Sequence, residues 1–301
     1  MADAAAPLGF IGLGMMGLPM ARNLLRHGRA LLACDPSAAA REALAEGAEA
    51  GTVRFAGTPA AVAEAAGTII LVLPDSTVVA QVMEGPGGLL AALGPQHLVL
   101  DMGSSLPAET RRFAALAAER GAAFLDAPVS GGTAKARDGT LAVMLGGEDA
   151  AAARAAPVLA AMGGPPIRTG PVGSAHAMKA LNNYVYAAGL LAASEAVRMA
   201  DGLGLDLHVF TDVLNASSGR NVATETKLKS NVLSGRYGAG FQLGLMRKDL
   251  ETAGAVAAET GFDAPSLSLC RGVWTEAVAQ LGPKVDNTEI HRFLGQRQGD
   301  G

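Results

Sequence analysis

Cysteine is scarce in this 301-residue chain: Cys34 and Cys270 are its two thiols, far apart and outside any ligand-spaced group. That scarcity excludes a disulfide framework and a structural zinc site, suits a reducing compartment, and leaves both thiols as small buried hydrophobes. Clusters of lysine and arginine are missing too. With a net charge of −4 and a pI near 5.8, nucleic acid and anionic membrane are poor partners. No run of about 20 apolar residues offers a membrane span. Met1 to Leu8 lacks the basic-then-apolar order of a secretory leader. These gaps leave a cytoplasmic protein that works on small molecules without a metal.

What is present is apolar mass. Hydrophobic residues make up 50% of the chain, enough for a substantial core, and the length predicts two domains, 1–168 and 169–301. In the first, short apolar runs alternate with helical segments, beginning LGFIG, MMGLPMARNLLRHG, ALLAC and PSAAAREALAEG. Further strands are predicted at 68–73, 97–101, 123–127 and 141–145, with helices beginning near Thr58, Asp75, Pro107 and Glu148. Such alternation implies an α/β fold, a doubly wound parallel sheet with right-handed crossovers. From Leu203 the strand signal ends, and helices are predicted at about 206–215, 222–233, 242–259, 266–280 and 287–293, an all-helical second domain. Asp286 and Glu289 read as a capping box for the last helix, and the tail from Gly295 reads as frayed.

Between the two domains, Gly170 to Gly204 reads as one long helix over about 175–200, apolar on every side and so buried all round, with Ser174 able to cap its start. Lys179 and Asn183, four residues apart, share one face of that helix and are predicted to face a ligand held by the first domain. The helix is more apolar than one small helical domain can cover, which predicts a homo-oligomer, a dimer or tetramer.

Gly12-Leu13-Gly14-Met15-Met16-Gly17 is a GxGxxG. Alone the pattern is common. Here it follows a predicted strand, opens a helix whose first-turn amides can hold a pyrophosphate, and precedes an acid, Asp35, at the end of the second strand, 23 residues after Gly12. Together these predict a Rossmann-type dinucleotide site. A carboxylate at Asp35 can accept from the ribose hydroxyls of NAD and repels a 2′-phosphate. Pro36 and Ser37 follow it rather than an arginine, so NAD is preferred over NADP. The bland reading of Asp35, which carries less weight, is a helix cap or turn residue before Pro36. Two more loops, Leu73 to Ser76 and Asp101 to Ser105, end strands where ligands of such sheets collect. After the strand at 123–127, Ser130-Gly131-Gly132 can turn successive amides and a hydroxyl toward one point and bind a carboxylate, or can simply reverse the chain.

Three stretches, GFIGLGMMGLPMARNL, DAPVSGGTAKARDGTLAVMLGG and GPVGSAHAMKALNN, with Lys248-Asp249 in LGLMRKDLETA, together resemble the β-hydroxyacid dehydrogenases typified by 3-hydroxyisobutyrate dehydrogenase. The resemblance spans almost the whole chain. It implies a Rossmann-type domain, a long connecting helix, a helical second domain, and reversible NAD(P)-dependent oxidation of a small β-hydroxy acid to its semialdehyde or keto acid. By position, Lys179 looks like the catalytic lysine, Asn183 like its substrate-binding companion, and Ser130, Gly131 and Gly132 like the carboxylate loop. Leu73, Pro74, Val78 and Ser104 fall where the family touches the nicotinamide half of the cofactor. Lys248 falls where a lysine reaches the active site, touching substrate and cofactor, although its bland reading is a solvated helix face.

Hydride transfer from an alcohol leaves a hydroxyl proton for a base. Burial among Ala177, Met178, Ala180 and Leu181 disfavours the ammonium form of Lys179, which fits it for that step. Two residues depart from the family pattern. Ala175 stands where glycine is usual and stiffens the helix start. Lys135, also where glycine is frequent, is either an extra cation suiting a larger or more polar acid, such as a four-carbon sugar acid, or a solvated loop lysine. The alternatives are an imine reductase-like NADPH enzyme, which shares the architecture but replaces the lysine, and a non-catalytic dinucleotide-binding module. Lys179 and the complete substrate loop speak against both.

Overall fold

The computed structural model of the chain describes residues 6–297. Its contacts divide it into two compact units, Met1–Lys179 and Ala180–Gly301. In the first, the strands are β1 (Leu8–Ile11), β2 (Leu31–Cys34), β3 (Val53–Phe55), β4 (Thr68–Leu71), β5 (Leu98–Asp101), β6 (Ala123–Asp126), β7 (Val129–Ser130), β8 (Ala142–Gly146) and β9 (Ile167–Gly170). The helices are α1 (Gly17–Arg26), α2 (Ala38–Ala45), α3 (Pro59–Ala65), α4 (Ser76–Glu84), α5 (Pro107–Ala118), α6 (Gly132–Asp138) and α7 (Asp149–Leu159). Strand order is β3-β2-β1-β4-β5-β6-β8-β7, with β9 beside β8.

The alternation of side chains along each strand explains the double winding. Leu8, Phe10, Leu31, Ala33, Ile70, Leu98, Leu100 and Leu125 join one core with Met20 and Leu24 of α1 and Val158 and Leu159 of α7. Their neighbours Ile11, Leu32, Ile69, Leu71, Val99 and Phe124 point the other way and pack on Val62 of α3, Val79 and Met83 of α4, and Phe113 of α5. A strand buried on both faces needs apolar residues at every position, and this is why these runs are legible. Thr58 and Asp75 accept amide hydrogens at the starts of α3 and α4, where helices are expected.

Three strands escape the sequence pattern. β3 and β9 are largely exposed, and β7 has only two residues, so none carries an apolar signature. The sheet is also not wholly parallel, because β8 runs antiparallel to both β6 and β7.

Helix α8 (Ser174–Gly202) runs from the first unit into the second. It is not buried all round as expected: Met178, Leu181, Val185 and Met199 form an exposed apolar stripe. The second unit continues with α9 (Leu207–Ala216), α10 (Val222–Thr226), α11 (Leu243–Thr260), α12 (Pro265–Leu281) and α13 (Ile290–Arg297). The helix expected over 222–233 is broken, with α10 giving way to a wide π turn at Leu228–Leu233. A capping box forms between Asn221 and Thr224. The one expected at Asp286 and Glu289 does not form, because Glu289 pairs with Arg292 at 2.9 Å. Gly295–Arg297, expected to fray, belong to α13, and residues 298–301 lie outside the described residues. Leu190, Val197, Met246, Leu250, Trp274 and Phe293 make this unit's core. Cys270 lies in that core, its thiol pushed up to about 11 by burial, and Cys34 is half-buried and likewise free.

His291 stands against Arg198, whose guanidinium donates to its carbonyl at 2.9 Å, and Tyr237 Oη is 3.3 Å from its Nδ1. Burial first, then the Arg198 charge, push the imidazole down to about 4 from an ordinary 6.5. The unfolded chain therefore takes up a proton that the folded chain refuses between those values. Stability should fall as pH drops from 6.5 toward 4, and His291→Gln should flatten that slope in urea midpoints measured across the window.

Candidate active site

The glycine loop separates into two roles. A Cβ at Gly12, whose φ is +98°, would stand 2.3 Å from the Val72 carbonyl oxygen, and one at Gly17 would stand 2.0 Å from the Gly12 oxygen. Both glycines are demanded by the fold. A Cβ at Gly14 would meet no heavy atom within 4 Å, so the chain itself does not need glycine there. An exposed glycine at the mouth of a helix suits close approach of a phosphate. Among the described residues, no acceptor meets the amide hydrogens of Met15 and Met16. The loop therefore fits a pyrophosphate. Gly17→Ala should lower stability by more than about 3 kcal/mol, since backbone must move. Gly14→Ala should stay within about 0.5 kcal/mol of the parent in urea unfolding and weaken dinucleotide binding about tenfold by fluorescence titration.

Asp35 fastens this loop. Its Oδ2 accepts from the Leu13 amide at 2.6 Å and its Oδ1 from the Ser37 amide at 2.8 Å. Its bond to the Ser37 amide, two residues on, is the turn reading of this side chain. Sequence inspection of the positions directly after Asp35 missed Arg41, which helix α2 brings back so that Nη1 donates to the Asp35 carbonyl at 2.6 Å.

The next loops abut each other. A Cβ at Gly103 would lie 2.7 Å from the Leu73 oxygen, and Ser76 Oγ accepts from the Leu106 amide at 2.7 Å. Leu73, Val78 and Ser104 are half-buried and Pro74 is exposed, all at the carboxyl ends of β4 and β5 or in the first turn of α4. Behind them lies a buried polar network that the sequence did not reveal. Asp101 accepts from the Gly103 amide at 3.0 Å and the Ser105 hydroxyl at 2.8 Å. The Thr110 hydroxyl donates to the Leu106 carbonyl at 3.1 Å, so it accepts from His176 Nδ1, 2.7 Å away. His176 Nε2 lies 3.9 Å from Asp101 Oδ2.

Asp126, wholly buried at the end of β6, accepts from the Gly173 amide at 2.8 Å and the His176 amide at 3.0 Å. It therefore does the work expected of Ser174, whose hydroxyl instead bonds Thr169 at 2.7 Å. One carboxylate ties the first turn of α8, where His176 stands three residues before Lys179, to the end of β6, four residues before Ser130. Lys179 is 9% exposed. Ser130 ends β7, and the chain turns through Gly131 and Gly132, at φ +137° and +71°, straight into α6, a helix not expected there. A positive φ at consecutive residues explains the glycine pair.

In the second unit, Asn183 Nδ2 donates to Asp249 Oδ2, and Lys248 Nζ lies 3.3 Å from Asp249 Oδ1. Buried Asp249, which the site reading passed over in favour of its neighbour, thus joins Asn183 and Lys248 into one network. No group of three acidic, histidine or cysteine side chains that could hold a metal occurs among the described residues.

The family model of the NAD binding domain of 6-phosphogluconate dehydrogenase matches residues 7–174, and that of the NAD-binding segment of NADP-dependent 3-hydroxyisobutyrate dehydrogenase matches 173–294. The chain belongs to the β-hydroxyacid dehydrogenase family. The 2-(hydroxymethyl)glutarate dehydrogenase of Eubacterium barkeri is 35% identical over 99% of this chain and 97% of its own length. The NAD-dependent L-serine dehydrogenase of Pseudomonas aeruginosa is 37% identical, over 97% and 99%. The structure of the Mycobacterium tuberculosis 3-hydroxyisobutyrate dehydrogenase with L-serine superposes with a TM-score of 0.87 at 31% identity, covering 96% of this chain and 99% of that one. This β-hydroxyacid dehydrogenase is an NAD(P)-dependent oxidoreductase acting on the CH–OH group of a small hydroxy acid.

Proposed function

We propose that this enzyme oxidises a β-hydroxy acid of the form HOCH2–CHX–COO−, or a short sugar acid, to its semialdehyde or keto acid, with Lys179 as general acid/base and NAD preferred over NADP. The observation that carries the reading is the Asp126 tie: the strand leading to Ser130–Gly132 and the helix bearing Lys179 are held by the same buried carboxylate. The names of the relatives support the substrate frame, since 2-(hydroxymethyl)glutarate, L-serine and 3-hydroxyisobutyrate share it and differ in X.

In the proposed chemistry, Ser130 and the amides of Gly131 and Gly132 bind the substrate carboxylate, and Asn183 and Lys248, joined through Asp249, are further substrate-binding residues. NAD would supply the hydride acceptor, held by the loop residues Gly12, Gly14, Met15, Met16 and Gly17, with Leu73, Pro74, Val78, Ser104 and Lys248 as further cofactor-binding residues. Lys179, shielded from bulk water, takes the hydroxyl proton as the carbinol hydride leaves, and returns it in reduction. Asp35 supports the NAD preference and Arg41 tempers it, because a nearby guanidinium can accept a 2′-phosphate. The exposed stripe of Met178, Leu181, Val185 and Met199 supports a homo-oligomer, dimer or tetramer. Two unbridged cysteines support a cytoplasmic setting. No helix among the described residues is long and apolar enough to cross a membrane.

The test supplies NAD or NADP with 3-hydroxyisobutyrate, L-serine, glycerate and threonate and follows absorbance of the reduced cofactor. Turnover with a higher kcat/KM for NAD is expected, and Asp35→Ala should narrow that preference about tenfold. Failure on every acid, or preference for NADP, would sink the respective part of the reading.

A further inference from the structure

We infer that Lys135 forms a second anion subsite beside the substrate loop, so that the preferred substrate carries another carboxylate in its X substituent. The inference rests on the reading of Ser130–Gly132 as the carboxylate loop.

The position of the side chain makes the case. A Cβ built on Gly131 would lie 2.9 Å from Lys135 Cβ, 3.1 Å from Cγ and 2.6 Å from Cδ. The stem of Lys135 therefore lies along Gly131, toward the amino end of α6, with the amine two bonds past Cδ. Helical side chains lean toward the amino end, so this direction is built into the backbone. The rest of α6 faces elsewhere. Thr133 and Arg137, four apart, line a groove of about 610 Å3 along α1 together with Arg22 and Arg26. Lys135 lies two positions from each, on the opposite side of the helix. No acidic side chain pairs with Lys135 among the described residues.

A β-hydroxy monocarboxylate offers one anion, and the loop amides with the Ser130 hydroxyl already answer it. A cation laid across the same loop has work only if the substrate brings a second anion. An exposed lysine held along a glycine discriminates by Coulomb attraction, worth about fivefold, and more by repulsion when its sign is reversed.

The experiment compares kcat/KM for 2-(hydroxymethyl)glutarate, with two carboxylates, against 3-hydroxyisobutyrate, with one, and threonate, with one and extra hydroxyls. The full chain carries Lys135, Lys135→Met, Lys135→Glu or Lys135→Arg. The parent should favour the two-carboxylate acid. Lys135→Met should lower the ratio of two-carboxylate to one-carboxylate kcat/KM about fivefold, mostly through KM, and Lys135→Glu about 25-fold, whereas Lys135→Arg should keep it. Added salt should shrink the parent's ratio. Turnover of the one-carboxylate acids with a ratio that Lys135→Glu does not move overturns the subsite and leaves the proposed function standing, as does a parent preference for threonate. Failure to turn over any acid overturns both.

Discussion

Lys179→Ala is expected to lower kcat by a factor of about 10²–10⁴, the usual contribution of a positioned acid/base group, while the dinucleotide still binds. Lys179→Arg is the sharper variant. Arginine keeps the charge and much of the length but stays protonated, so it cannot accept the substrate's hydroxyl proton. If Lys179 moves a proton, Lys179→Arg should be about as slow as Lys179→Ala; if it served only as a fixed cation, Lys179→Arg should recover most of the rate. Initial rates at saturating substrate, with cofactor affinity measured separately, decide between them. A Lys179→Arg enzyme within about tenfold of the parent would refute the base assignment.

Asp126→Ala should cost about 3–5 kcal/mol of stability, the largest loss expected from a single polar side chain here. It leaves two amides, those of Gly173 and His176, buried without an acceptor, at about 1–3 kcal/mol each. Asp126→Asn keeps one acceptor oxygen but turns an amide N–H toward a backbone N–H, so about half the loss should remain. In whatever fraction stays folded, kcat should drop about 100-fold, since a shift of about 1 Å in the start of α8 displaces Lys179 from the reacting atoms. Urea midpoints and kcat at a temperature where the variant is folded separate the two effects. A parent-like midpoint for Asp126→Ala would show that the carboxylate does not carry the junction.

Much of the fold was legible because it is written in local signals. The strands buried on both faces announce themselves as apolar runs, and Thr58, Asp75 and Asp206 mark helix starts by bonding amides two or three residues on. The strands that were missed, β3, β7 and β9, are short or exposed edges with nothing apolar to report. The same limit applies to the site. Gly12, Gly14 and Gly17 are one motif in the sequence, yet only packing distinguishes the two that the backbone requires from the one left open. Lys135 reads either as an extra cation beside the substrate loop or as a solvated loop lysine until α6 forms and lays its stem on Gly131.

The chain alone therefore determined the architecture and supplied the candidate residues of the site, since periodicity, capping and turn formation depend on residues a few positions apart. Only the tertiary structure decided which acids do what. Asp126 meets Gly173 and His176 across 47 and 50 residues, and Asn183 meets Asp249 across 66. A buried carboxylate takes whichever donors strand order and helix packing bring within about 3 Å of it. No spacing in the sequence encodes that choice.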